Sequence, residues 1–373
     1  MPVLPNAYAL LDEARRRAGR VLDLSGLGPV ETPSRIVATL PGARLRAYQP
    51  PGSHPARPVL LILPAPIKRA YLWDLLPPVS VVRRCLSGGL RVYLLEWLDP
   101  GAAEDGFGLA DYAECLPLAA LDVIADETGE DAAMLAGHSL GGTFAAIFAA
   151  LQPERMRGIV LVDAPLAFGP ERGGPLARAI AAAAPHARLL RHLAGSPVPG
   201  AFVARLATAA APEAFVLERW ADFGASLADP LAAAIHARVE RWLLDELAMP
   251  GQLFEDVLER LYREDRLASG TLEIGGRRIG LGRLRSPVLA VVNPPGRVVP
   301  PESVLAGLAA LPADLPRRVL RHERAERGVA LRHLAPLVGR EAHARLWPEI
   351  LDWIHACWLG DREARVAAPA AQP

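Results

Sequence analysis

The order of short apolar runs and amphipathic stretches predicts an α/β protein, with a mostly parallel central sheet, helices on both faces and a helical insertion. Three observations predict it. Strand and helix signals alternate from Pro58 to Val162, helical spacing alone then runs over 166–284, and strand signals return at Val288–Val292 and Arg318–Leu320.

Taken in order, Ala7–Val21 places Leu10, Leu11, Ala14, Ala18 and Val21 at helical spacing, so a short amphipathic helix is expected. Arg35–Leu40 and Ala43–Tyr48 flank Pro41-Gly42 and read as two strands around a turn. Gln49–Pro58 is a Pro-rich connector. Pro58–Leu63 is a buried strand, Pro77–Gly88 a helix stopped by Gly88-Gly89, and Leu90–Trp97 another strand. Leu109–Thr128 is a helix, Ala132–Ala136 a brief strand, Thr143–Leu151 an Ala-rich helix and Gly158–Val162 a buried strand. After Asp163 no strand signal appears until Thr271–Ile274, which makes 166–284 a cap. Gly339–Trp358 reads as a closing helix. The expected organisation is an extension at 1–54, a core at 55–165 and 285–360, the cap at 166–284 and a flexible tail at 361–373.

Composition narrows the function. Of 373 residues 51% are hydrophobic, enough for one large core. Lys plus Arg equals Asp plus Glu at 41 each, and this balance disfavours a nucleic-acid binder. Cys85, Cys115 and Cys357 are scattered without metal-ligand spacing, which suits a reducing cytoplasm. The N-terminal arginines follow a short apolar stretch interrupted by Asp12 and Glu13, the reverse of a secretory signal. No apolar run is long enough for a membrane span. Gly275-Gly276 and Gly280 open no helix, so no dinucleotide fingerprint is present. No metal and no cofactor are expected. The reading is cytoplasmic, with no nucleic-acid or membrane partner.

The motif that carries chemistry is Gly137-His138-Ser139-Leu140-Gly141-Gly142, between a five-residue apolar strand and a helix. A sharp strand-to-helix turn strains the Ser backbone and needs small neighbours, which Gly137 and Gly141 supply. It lifts the Ser139 hydroxyl above the sheet and aims the helix N-terminus at it, so the Leu140 N–H can stabilise an oxyanion. The competing reading is a Gly-rich helix start with Ser139 as cap. His138 reads as a packing or rim residue. A strand–turn–helix Ser of this kind is the nucleophile elbow of the α/β-hydrolase fold. A second oxyanion donor is expected from Leu63–Lys68. Pro64 and Pro66 have no N–H, which leaves Ile67 first and Ala65 second.

Several separated blocks resemble polyhydroxyalkanoate synthases. They are Leu61–Arg69, Leu75-Leu76-Pro77, Ser80–Arg83 and Val92–Trp97, then Arg241-Trp242 with Asp245, Leu261-Tyr262, Leu267 with Gly270, and Pro287-Val288-Leu289. The resemblance spans roughly residues 55–355 and is to the shorter, two-subunit type, without the long N-terminal domain of the larger synthases. It implies an α/β-hydrolase fold and a Cys–Asp–His triad that moves hydroxyacyl groups from coenzyme A thioesters onto a polyester.

Carried over by position, the nucleophile is Ser139 and the His is His333, with His322 as competitor in a strand-like run. The family Asp precedes a V-P-P segment, which here reads Gly296-Arg297-Val298-Val299-Pro300-Pro301, so Gly296 stands in the acid's place. Loss of a triad acid can cost on the order of 10⁴ in turnover. Asp163, which ends the strand after the elbow, is the replacement expected, against a reading in which it only caps a turn. Glu302 is a weaker one.

Ser in place of Cys shifts the balance toward hydrolysis, because a hydroxyl needs its base for each attack. Three functions follow. The first is a serine-dependent acyl transferase on 3-hydroxyacyl thioesters or polyester. The second is an esterase, thioesterase or depolymerase. The third is a degenerate protein that binds a polyester granule or a synthase partner. A homo-oligomer or a synthase subunit is compatible with each. The cap's Phe202, Phe215, Phe223 and Phe254 suit an acyl channel but equally suit helix packing.

Overall fold

The computed structural model describes residues 6–48, 57–182 and 186–367, with side chains as far as Gly360. Most of the Pro-rich connector (49–56) and residues 368–373 lie outside the described residues.

The sheet has eight strands: β1 (Arg35–Leu40), β2 (Ala43–Tyr48), β3 (Val59–Leu63), β4 (Arg91–Trp97), β5 (Ala133–His138), β6 (Met156–Val162), and two that follow the cap. The cap itself holds a small hairpin, β7 (Leu272–Ile274) and β8 (Arg277–Ile279). Then come β9 (Val288–Val292) and β10 (Arg317–Arg321). The order is β1-β2-β4-β3-β5-β6-β9-β10. The first two pairings are antiparallel and the other five parallel. Every residue of β3, β5, β6 and β9 is buried, as expected of central parallel strands covered on both faces. Their mostly apolar sequence, interrupted by Arg157 in β6 and His138 at the end of β5, is therefore a requirement of position.

Helix α1 (Ala7–Leu22) packs on the cap, and α2 (Val81–Ser87), α3 (Leu116–Thr128) and α4 (Leu140–Leu151) follow within the core. All twelve residues of α4 are buried, which explains its run of small and apolar side chains. The cap comprises α5 (Gly174–Ala182), α6 (Ala187–Ala194), α7 (Gly200–Ala210), α8 (Glu218–Ser226), α9 (Pro230–Leu243) and α10 (Gly251–Asp256), with the β7–β8 hairpin. The core resumes with α11 (Pro301–Ala309), α12 (Ala335–Val338) and α13 (Trp347–Ala367).

One expectation needs correction. The segment 361–367 is not a tail, because α13 continues through Ala367. The closing helix expected at Gly339–Trp358 is helical from Arg340, just after extended Gly339, and a wide turn at Ala342–Leu346 leads without a break into α13. Pro300 and Pro301 start α11, where Pro301 occupies a first-turn position at which no N–H is needed. Among the described residues no single helix is long and apolar enough to cross a membrane. One pair, Gly200–Ala210 with Glu213–Ser226, has the composition but bends by 106°.

Candidate active site

The carboxyl ends of β5, β6 and β9, with the loop after β10, meet above the sheet. This is where open α/β sheets place ligands.

Ser139 follows β5 with φ 54° and ψ −134°, a conformation that L residues adopt only under constraint. Two glycines make it possible by close approach. A Cβ on Gly137 would sit 2.4 Å from the Gly141 backbone, and one on Gly141 would sit 2.2 Å from the Leu63 carbonyl oxygen. The Ser139 N–H donates to the Val162 carbonyl at 3.1 Å, and its own carbonyl accepts the Gly142 and Thr143 N–H groups. With its backbone so held, Ser139 is only partly buried, and it lines a cavity with His333, Phe215, Trp73, Leu334 and Leu337. Leu140, next in chain, is the first residue of α4, where the N–H groups of a helix have no intrahelical partner.

Asp163 continues directly from β6, fully buried, also with positive φ (44°). Its carboxylate Oδ2 accepts from His333 Nδ1 at 2.7 Å. His333 lies in a short turn (Arg332–Leu334) between β10 and α12 and is itself buried. The structure thus brings together Ser139, His333 and Asp163, three residues separated by up to 194 positions and singled out from sequence.

Electrostatics follow from burial. Desolvation pushes the His333 imidazole down, to about 3, so the ring is neutral at ordinary pH. The Asp163 carboxyl is pushed up by the same burial, and His138 and hydrogen bonds from Asn293 pull it back. A neutral ring with Nδ1–H held on a carboxylate presents Nε2 as a proton acceptor.

The remaining candidates fall elsewhere. Glu302 is exposed in the first turn of α11. His322 is not a surface strand residue. It is buried just past β10, with its N–H on the Val292 carbonyl and Nε2 3.4 Å from Glu326. Gly296 sits in a turn where a Cβ would come 2.8 Å from Asn293 Nδ2.

Asn293 escaped the sequence reading. Immediately after β9, it donates Nδ2 to Asp163 at 3.3 Å and to the Arg332 carbonyl at 2.7 Å. A polar residue ending an all-apolar strand was its one signal. His138, read as a packing or rim residue, is a buried packing residue. Its ring lies 4.3 Å from that of His333, and Nε2 is 2.9 Å from the His333 carbonyl oxygen, so it packs against His333. Burial lowers it to about 3 as well. Ligand atoms of His138, Asp163 and His333 lie within 4.8 Å of one another, close enough by spacing for a metal ion. One nitrogen of each ring is already committed to a protein hydrogen bond.

The loop 64–69 forms the opposite wall of the cavity. Trp97 Nε1 donates to the Pro64 carbonyl at 2.8 Å. The Leu247 N–H donates to Ile67, and Trp242 Nε1 donates to Arg69 at 2.7 Å. Lys68 pairs with Glu246 at 2.5 Å, and Arg69 and Arg241 both pair with Asp245. The Lys-Arg and Arg-Trp blocks therefore fasten this loop to the cap. Among the described residues the N–H groups of Ala65 and Ile67 have no protein acceptor, and the Ala65 nitrogen lies closer to the elbow, 2.9 Å from where a Gly141 Cβ would be.

Comparison with known proteins bears on the fold and on the relatives of the chain. The model of the α/β-hydrolase fold matches residues 58–196. The poly(3-hydroxyalkanoate) polymerase subunit PhaC of Haloferax mediterranei is 27% identical over 93% of this chain and 68% of its own length. PhaC of Haloarcula marismortui is 26% identical over 82% of this chain, which spans less than two thirds (62%) of that relative. PhaC of a Synechocystis species is 25% identical over 94% of this chain and 92% of its own. Among solved structures, a monoacylglycerol lipase of Paleococcus ferrophilus superposes with a TM-score of 0.50 at 17% identity, covering 84% of this chain and 99% of that one. A hydrolase of Pseudomonas aeruginosa gives the same score and identity over 88% and 98%. These likenesses show the fold alone. The chain is homologous to the polymerase subunit PhaC and carries an α/β-hydrolase domain.

Proposed function

We propose that this chain is a serine-dependent acyl-transfer enzyme of the PhaC type, acting on 3-hydroxyacyl thioesters or polyester ends. The observation that carries the reading is the 2.7 Å hydrogen bond between His333 Nδ1 and Asp163, on the same cavity as Ser139. Ser139 Oγ attacks the acyl carbonyl while His333 Nε2 takes its proton. Asp163 keeps the ring in the required tautomer and stabilises the imidazolium that forms. The carbonyl oxygen becomes an oxyanion held by the N–H groups of Leu140 and of Ala65, the nearer of the two loop donors, with Ile67 as the alternative. Collapse expels the thiolate, which receives the proton from His333, and leaves an acyl-Ser139. The hydroxyl of a second hydroxyacyl group, deprotonated by His333, then attacks this ester; as the new ester bond forms the acyl–Oγ bond breaks, and His333 returns the proton to Ser139 Oγ.

Attack by water in that second step would make the same machinery an esterase, thioesterase or depolymerase. The serine nucleophile favours this second reading. The apolar cavity wall of Trp73, Phe215, Leu334 and Leu337 favours an organic acceptor over water. The buried His–Asp pair speaks against a purely structural protein. Leu217, Trp220 and Leu227 stand more than 60% exposed on the cap and suit contact with a polyester surface.

The test is product analysis after incubation with 3-hydroxybutyryl-CoA, with Ser139→Ala and His333→Ala alongside. Polymer that disappears in both variants is the expected result. Free acid alone assigns the hydrolase. No turnover, with no fluorophosphonate adduct on Ser139 of a folded sample, would contradict both.

A further inference from the structure

Residues 328–333 reach the cavity along an irregular path. Gly328 and Ala330 both have left-handed backbone, with φ of 82° and 57°, and Ala330 carries a Cβ that disfavours it. Such a segment holds its shape only where its surroundings fix it. Here the fixing groups come from the cap. Glu218 and Asp222 stand one turn apart on α8 and so face the same side. Asp222 Oδ1 accepts the Gly328 N–H at 2.9 Å, and Oδ2 accepts the Ala330 N–H at 2.8 Å. Glu218 Oε2 accepts the Arg332 N–H at 3.2 Å. Three alternate N–H groups leading to His333 are thus held by two cap carboxylates. Asp222 is braced in turn by His236 of α9, whose Nδ1 lies 2.7 Å from Oδ2. The loop is pressed on α9 at Gly328, where a Cβ would lie 2.2 Å from the Ala232 carbonyl oxygen.

We propose that Glu218 and Asp222 are positioning residues, a two-carboxylate clamp through which the cap sets the place of His333 over Ser139. This rests on the reading of Ser139 and His333 as nucleophile and base. Neither carboxylate touches the reacting atoms. Their effect passes through the backbone of 328–332, and misplacement of a catalytic group by about 1 Å can cost on the order of 10²-fold.

Three variants separate this role from simple packing. In Glu218→Ala the Arg332 N–H loses its acceptor. In Asp222→Asn the shape is kept, but one of the two N–H groups then faces an amide NH₂. In Glu218→Gln an oxygen remains for Arg332, and this is the conservative rescue. Turnover of p-nitrophenyl butyrate is measured per Ser139 titrated with a fluorophosphonate, so unfolded molecules do not count. Expected is a kcat per titrated site reduced about 10- to 100-fold in Glu218→Ala and Asp222→Asn. KM stays within about twofold, and Glu218→Gln falls within about twofold of the parent chain. A loss confined to the titratable fraction or the melting temperature, with kcat per site unchanged, overturns the clamp and leaves Ser139 and His333 as they are. Absence of labelling in the unmodified chain overturns the functional reading, and the clamp with it. Should the variants fail to fold, amide hydrogen exchange of the unmodified chain decides. Unprotected exchange at Gly328, Ala330 and Arg332 overturns the clamp.

Discussion

Asp163 has the geometry that a triad acid needs. Its backbone is left-handed, its carboxylate is fully buried, and Asn293 and His333 both reach Oδ2. Position in the fold explains how it can stand in for an acid at Gly296, where the resemblance would place one. β6 lies between the elbow strand β5 and β9, so a side chain leaving its end points into the same crevice. Asn293 ties the arrangement together, and Asn293→Ala should leave the Arg332 carbonyl without its donor. The expected cost is about 1–3 kcal/mol in denaturant unfolding, with lowered turnover. A pH profile tests the state of the base. Burial lowers the His333 pKa, so the neutral ring persists below the ordinary histidine value of about 6.5. Burial also raises the Asp163 carboxyl, to about 7, so an acid limb near neutral pH belongs to that carboxyl. In Asp163→Asn that limb should vanish, and the residual rate of Ser139 phosphonylation should fall only as pH drops through the lowered histidine pKa. A limb at about pH 6.5 that persists in Asp163→Asn would contradict a desolvated base.

At the scale of elements, the elbow is a tightly constrained turn. Gly141→Ala puts a methyl group 2.2 Å from a backbone oxygen at the end of β3, where no flexible side chain can yield. It should cost about 1–3 kcal/mol or more, visible as a lowered melting temperature. A variant as stable as the parent would mean that the turn is looser than described. This crowding is also why the elbow was legible in sequence: small residues at fixed spacing between an apolar run and a helix have few other reasons. Strands β3, β5, β6 and β9 were legible because burial on both faces forces apolar runs, which in β6 begin only after Arg157 and in β5 stop before His138. Helix α11 was not, because its Pro-Pro start resembles a loop until the chain is seen to turn there. Asn293 and the α8 carboxylates were hidden for a further reason. A lone amide, or two acids on an amphipathic helix, look the same in sequence whether they face water or a backbone.

For the whole molecule, the cap is what the elbow fold adds to a bare hydrolase core. It supplies Phe215 and Trp242 to the cavity and holds the Ile67 loop through Lys68, Arg69 and Trp242. It also grips the His333 loop through α8. A helical insertion was evident from composition, whereas its contacts were not, since they join residues more than a hundred positions apart. The central claim is that Asp163, not a carboxylate at the family position, completes a triad with His333 and Ser139. The most direct measurement is the rate of acyl-Ser139 formation in Asp163→Asn, with Glu302→Gln as control. The account predicts a loss approaching 10⁴ in the first, as for removal of a triad acid, and no more than about a twofold change in the second. An Asp163→Asn rate within about threefold of the parent, far from that loss, would contradict it.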